Sequence, residues 1–185
     1  MELLAPAGNM EKLKTALYFG ADAVYLAGKA YGLRAFAGNF EREELIEAVK
    51  LAHEMNKKVY VTVNIVAHNR DFENLEEYLK FLYDIGVDAI IVSDIGIINL
   101  ARKVVKNLDI HVSTQANITN KYAAKFFCDL GVKRLVLARE LSLEEIKPSS
   151  RQYPRIRFTY NKIPGKDVLQ VKNLYKSVEG EVLIK

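Results

Sequence analysis

Asn64, Asp94, Gln115 and the neighbouring pair Arg139 and Glu140 each stand where a short apolar run gives way to a polar loop. Thr62, Ser93, Ser113 and Thr114 add hydroxyls at the same junctions. Amides and arginines hold carbonyl and carboxylate groups by directed hydrogen bonds, so this set suits a small anionic or carbonyl-bearing ligand. Arg34 and Tyr31, in a long loop over residues 27–40, are placed to reach over the same mouth. Arg34, Asn64, Gln115 and Arg139 are therefore the expected ligand-binding residues. Asp94 and Glu140 are the expected acid or base, on the condition that desolvation raises a carboxyl pKa. Taken singly, each of these residues could equally cap a helix or satisfy loop backbone. Their convergence as a set is what favours a site.

The elements that must position them follow one cadence, repeated six times in residues 1–147: apolar strand, polar loop, amphipathic helix. The expected strands begin with Leu3 to Ala5 and continue with Ala23 to Leu26, Val59 to Val63 and Ala89 to Val92. Ile110 to Val112 and Leu135 to Leu137 complete them. Helices are expected from Met10 to Phe19 with Leu13, Ala16, Leu17 and Phe19 on one face, and from Glu41 to Met55 with Leu45, Ile46, Val49 and Ala52 at helical spacing. Further helices are expected around Leu75 to Leu82, from Ile97 to Val105, and from an Asn120 cap through Phe127. Three segments repeat one pattern, a helix ending at Gly20, Gly86 or Gly131 followed within about four residues by a buried strand. Short helix-to-strand connections and near-continuously apolar strands predict a parallel sheet covered by helices. The expected fold is α/β, a parallel (β/α) TIM-like barrel, incomplete at about six βα units, and chemistry in such barrels sits at the strand ends. A doubly wound open sheet has less support, because no Gly-x-Gly-x-x-Gly follows the first strand.

Beyond Lys147 the cadence stops. Pro148-Ser149-Ser150 marks a boundary between a partial barrel at 1–147 and a short strand-rich tail at 148–185. Strands are expected at Arg155 to Tyr160, Val168 to Val171 and Glu181 to Ile184. The first 147 residues carry 19 basic and 20 acidic side chains, and the tail carries 8 and 3, so the net charge of +4 belongs to the tail. Such a tail can attract RNA through phosphate contacts, although scattered charge of this size is more often a solvated surface.

Other features exclude chemistry. His53, His68 and His111 lack the spacing of a metal-ligand pair, so no metal and no cofactor is expected. Cys128, the single cysteine, excludes an internal disulfide and reads as a small core residue on a helix. No apolar run approaches the roughly 18–20 residues that span a bilayer. A first strand in place of a signal peptide and one lone cysteine together predict a cytoplasmic protein with no membrane partner.

The segments Glu2-Leu-Leu-Ala-Pro-Ala-Gly-Asn-Met-Glu-Lys-Leu13, Gly20-Ala-Asp-Ala-Val-Tyr-Leu26 and Tyr31-Gly-Leu-Arg-Ala-Phe-Ala-Gly-Asn-Phe40 closely resemble the collagenase-like peptidase family U32. The resemblance continues through Val63-Asn64, Val92-Ser-Asp-Ile-Gly96, Ser113-Thr-Gln-Ala-Asn117 and Leu137-Ala-Arg-Glu-Leu-Ser-Leu-Glu-Glu145. It implies a TIM-like barrel and carries a protease label that no Ser/His/Asp or Cys/His arrangement here supports. It also implies relatives that act in prephenate-dependent hydroxylation of tRNA uridine, or as iron–sulfur proteins in ubiquinone hydroxylation. Family members follow the sixth strand with a Glu-x-x-x-His-Gly-Ala-type motif and a set of cysteines. Here Arg151 to Tyr160 holds neither, so no cluster is expected. A truncated gene, an internal deletion or a fused foreign tail would each explain the pattern.

Two readings follow. One is the barrel portion of an RNA-modifying or peptide-processing family. The other is a non-catalytic module whose open edges favour self-association or a partner that completes the sheet.

Overall fold

A computed structural model describes residues 2–33, 38–141, 176–178 and 181–184. The chain divides into two compact units, Met1–Glu140 and Leu141–Lys185. In the first, β1 (Leu4–Pro6), α1 (Met10–Tyr18), β2 (Ala23–Ala27), α2 (Arg42–Glu54), β3 (Lys58–Val63), α3 (Leu75–Asp84), β4 (Ala89–Val92), α4 (Ile95–Val104), β5 (Asp109–Val112), α5 (Lys121–Asp129) and β6 (Arg134–Leu135) alternate along the chain. All six strands are parallel and pair in sequence order, β1 to β6. They form a curled half-barrel with helices between the strands, the fold expected of six βα units.

Alternation along each strand sorts its side chains between two faces. On the helix-covered face Val24, Leu26, Val59, Val61, Val63, Ile90, Val92, Ile110 and Val112 pack with Leu13, Leu45, Leu79, Leu82, Ile97 and Ile98 in one core. On the concave face Ala23, Tyr60, Ala89 and Ile91 form a separate cluster with Leu4 against it. Small and aromatic residues there leave room inside the curl.

Asn9 accepts from Lys12 N (2.9 Å) and Asn120 from Tyr122 N and Ala123 N (3.1 and 3.0 Å), so both cap the helices they precede. Gly20, Gly86 and Gly131 have φ of +94°, +84° and +76°, the left-handed position that ends α1, α3 and α5. At α2 the same position is filled by Asn56 (φ +56°). Gly20→Ala meets no atom within 4 Å and carries only the backbone penalty, about 1 kcal/mol. Gly131→Ala adds a contact at 3.0 Å with the Arg102 guanidinium. Urea denaturation is expected to rank Gly131→Ala as the more destabilising.

Several expectations are corrected. Helix α1 ends at Tyr18, and Phe19 is 78% exposed rather than on the buried face. Only Leu13 and Leu17 of that helix are buried, one turn apart. Ile46 is half exposed, since it lies about 100° round the helix from Leu45, and the buried stripe runs Leu45, Ala48, Val49, Ala52. Cys128 is exposed and not a core residue, because α5 buries only Phe127. Helix α4 starts at Ile95, two residues early, and β6 covers Arg134–Leu135 where Leu135 to Leu137 was expected.

In the second unit, β7 (Lys176–Val178) pairs antiparallel with β8 (Glu181–Ile184). The strand expected at Glu181 to Ile184 is present. Those expected at Arg155 to Tyr160 and Val168 to Val171 lie outside the described residues.

Candidate ligand cavity at the strand ends

A cavity of about 370 Å³ opens on the concave face at the C-terminal ends of the strands, in the size range of small-molecule sites. Its apolar surface comes from Leu4, Ala27, Ile91 and Val136, with the Pro6-Ala7-Gly8 turn after β1 along one side. Its polar surface comes from Thr62 and Asn64 at the end of β3, Ser113, Thr114 and Gln115 after β5, and Tyr25 and Asn39. Each follows from strand parity: residues two apart share a face, and those past the last ladder bond turn into the mouth.

The polar side chains are held. Asn64 Oδ1 accepts from Leu33 N at 3.3 Å. Thr62 Oγ1 donates to Leu26 O at 3.3 Å, and Ser93 Oγ donates to the Asn64 carbonyl at 3.4 Å. Ser113, 5% exposed, accepts from Gln115 N at 3.3 Å.

Of the sequence-predicted residues, Asn64 and Gln115 are brought together in this cavity, with Thr62, Ser113 and Thr114 beside them. Asp94 lies outside the lining: its Oδ1 accepts from Ile97 N at 3.0 Å and caps α4. Arg139 and Glu140 are exposed in a turn after β6, also outside the lining. Arg34 falls outside the described residues. Tyr31 (φ +62°) packs its ring on Tyr78, centroids 5.0 Å apart, and its hydroxyl pKa is raised by burial. Among the described residues, no group of three or more His, Cys, Asp and Glu is placed to hold a metal ion.

A second polar cluster was not among the expected site residues. Glu2 accepts from Tyr60 Oη (2.8 Å) and Arg134 Nη1 (2.6 Å), joining the start of β1 to β3 and β6. The Arg134 guanidinium lies 5.4 Å over the Tyr60 ring, and the His111 ring meets Tyr60 edge-on at 4.6 Å. Glu2, Tyr60, His111 and Arg134 each stand two residues before a cavity-lining residue: Leu4, Thr62, Ser113 and Val136. They form the layer directly beneath the cavity floor. The Arg134 hydrogen bond holds the Glu2 carboxyl below its ordinary pKa, and the Glu2 bond raises that of Arg134. Burial, followed by the Glu2 hydrogen bond, pushes Tyr60 up to about 12. Burial, followed by the Arg134 charge, lowers His111 to about 4. The parity of four strand positions could have placed this layer, but not its pairings.

Residues 8–156 match the family model described as Peptidase family U32. "tRNA hydroxylation protein P1" of Bacillus subtilis is 51% identical over 146 residues, covering 79% of this chain and 35% of that protein. "23S rRNA 5-hydroxycytidine C2501 synthase" of Escherichia coli is 39% identical over 147 residues, covering 80% of this chain and 22% of that one. The chain thus spans about a third or less of the length of these curated relatives. The solved structure of the U32 peptidase Mk0906 superposes with a TM-score of 0.63 at 16% identity, covering 74% of this chain and 58% of that one, a likeness of fold.

Proposed function

This chain belongs to peptidase family U32, and on that premise we propose that its half-barrel is the base-holding part of an RNA-modifying protein that acts on a pyrimidine. The observation that carries this reading is the character of the cavity. Its polar lining is amides and hydroxyls over an aliphatic floor, with no Asp, Glu, Lys, Arg or His among the described lining residues. A neutral, flat heterocycle with carbonyl and N–H groups matches such a surface. An unstacked base entering the mouth leaves its phosphates outside it, and exposed Arg139, in the turn after β6, is the cation proposed to meet them. The names of the relatives, one for tRNA hydroxylation and one for 5-hydroxycytidine in rRNA, support the same reading. Peptide hydrolysis has less support: Ser113 Oγ accepts from a backbone amide, and His53, which pairs with Asp88, is not among the described lining residues.

Fluorescence anisotropy with a short single-stranded RNA tests the reading on the full chain. Binding is expected at low salt. Arg139→Ala is expected to weaken it about equally for all sequences and to reduce the salt slope by about 1, as for loss of one phosphate contact. Retention of casein cleavage with no RNA binding would overturn it. A role for Glu140 as acid or base belongs to the same proposal and is tested by Glu140→Gln.

Self-association is a second reading, favoured by one observation. Tyr122 and Phe126, one turn apart on α5, are 75% and 47% exposed. A molecular mass that does not rise with concentration in light scattering would remove it.

A further inference from the structure

Charge is divided unevenly within the half-barrel. Residues 1–94 carry 15 acidic and 10 basic side chains, whereas residues 95–140 carry 3 and 8. One of those eight, Arg134, is spent inside the curl on Glu2. Lys103, Lys106, Lys121, Lys125, Lys133 and Arg139 are all exposed, so the flank made of α4, α5 and the turns beside them is basic. Solvation accounts for lysines alone. It does not account for Tyr122 and Phe126, exposed rings one turn apart on α5. Lys121 and Lys125 repeat at the same spacing one residue earlier, so charge and ring alternate along one side of the helix. The Lys121 ammonium lies 5.1 Å from the centre of the Tyr122 ring. Lys125 bonds to both carboxylate oxygens of Asp129 at 3.1 Å, an exposed pair that a phosphate displaces at little cost.

This stripe starts at the cavity. Thr114 and Gln115, on the cavity wall, lead through Ile118 to the Asn120 cap of α5. Ala138 N donates to Ile118 O at 3.1 Å, which sets Arg139 beside the start of that helix. Cations at one-turn spacing with rings between them match a single strand, whose phosphates and open base faces alternate. A two-fold contact between copies through the same helix would oppose like charges. Resting on the reading of the cavity as a base site, we infer that α5 docks the single-stranded RNA that flanks the base in the cavity. Lys121, Lys125 and Arg139 meet its phosphates, and Tyr122 and Phe126 stack on its bases.

The chain contains no tryptophan, so Tyr122→Trp gives α5 a single fluorophore at an exposed position. The test titrates that variant of the full chain with a short labelled single-stranded RNA, reading indole emission and RNA anisotropy together. Indole emission is expected to be quenched over the concentration range in which anisotropy rises. Lys121→Gln combined with Lys125→Gln is expected to reduce the slope of log affinity against log salt by about 1.4. Phe126→Ala is expected to weaken binding about ten-fold. RNA binding with unchanged indole emission and an unchanged salt slope would overturn the docking assignment while leaving the base site standing. No RNA binding at all would overturn both. An indole shielded from acrylamide in the free variant would assign the face to packing within the chain and overturn the docking. A mass that rises with concentration, together with a change in indole emission, would assign it to a second copy with the same consequence.

Discussion

Lowering the pH from 7 to 4.5 is expected to cost the folded chain about 2–3 kcal/mol through His111 alone. The ring is 4% exposed, lies edge-on to Tyr60 and shares its surroundings with the Arg134 guanidinium. Asp109, Glu2 and Lys58 are the other charged groups that act on it. Its pKa falls to about 4 in the fold, against about 6.5 in an unfolded chain. Between those values the unfolded state binds the proton and the folded state resists it, so stability is full above pH 6.5 and declines toward pH 4. Glu2, whose pKa is also lowered, adds to the loss further into acid with the same sign. Urea denaturation at pH 7 and pH 4.5 measures the effect. His111→Phe keeps a ring against Tyr60 and removes the proton site, and it is expected to flatten the profile in that window. A His111→Phe protein that lost as much stability as the native one between the two pH values would assign the slope to other groups.

Gly28→Ala is the second large effect, expected to destabilise by about 1–3 kcal/mol. Gly28 is the first residue after β2 and bridges Phe40 at the base of the long loop. A Cβ there would overlap the Tyr78 hydroxyl and lie 3.4 Å from Leu45 Cδ1. Tyr78 is 4% exposed, packed between Tyr31 and Phe81, and has nowhere to move. Its hydroxyl is buried without a hydrogen-bond partner, and burial raises its pKa. Tyr78→Phe removes that oxygen and leaves the ring carbon at 3.5 Å, an ordinary contact. The double variant is therefore expected to recover most of the loss, and Tyr78→Phe alone to be neutral or stabilising because it deletes an unmet polar group. Thermal melts of the four proteins close the cycle. Additive losses would show that the two positions do not meet.

Much of the barrel was legible because its signals are local. A strand buried on both faces has to be apolar throughout, a covering helix repeats every 3.6 residues, and Asn9, Asn120 and the glycines at 20, 86 and 131 mark helix ends by backbone chemistry alone. Phe19, Ile46 and Cys128 were misread because an apolar residue near a helical stripe does not reveal which side of the stripe the neighbouring elements cover. In the site, Asn64 and Gln115 were legible as polar residues at strand ends. Asp94 shows the limit of that argument, since a side chain at a strand end and a helix N-cap look alike until the bond to Ile97 N is seen.

The sequence by itself determined the six βα units, their parallel order, and the end of the barrel where polar groups gather, since strand parity and helix period act over a few residues. Only the tertiary structure decided which groups meet. The curl of the sheet sets Glu2 on Arg134 across 132 residues and puts Tyr60 and His111 beneath the floor. It also sets the Leu33 amide on Asn64 Oδ1 across 31 residues. Those pairings depend on the curvature that side chains impose on a whole sheet, which no window of the sequence contains.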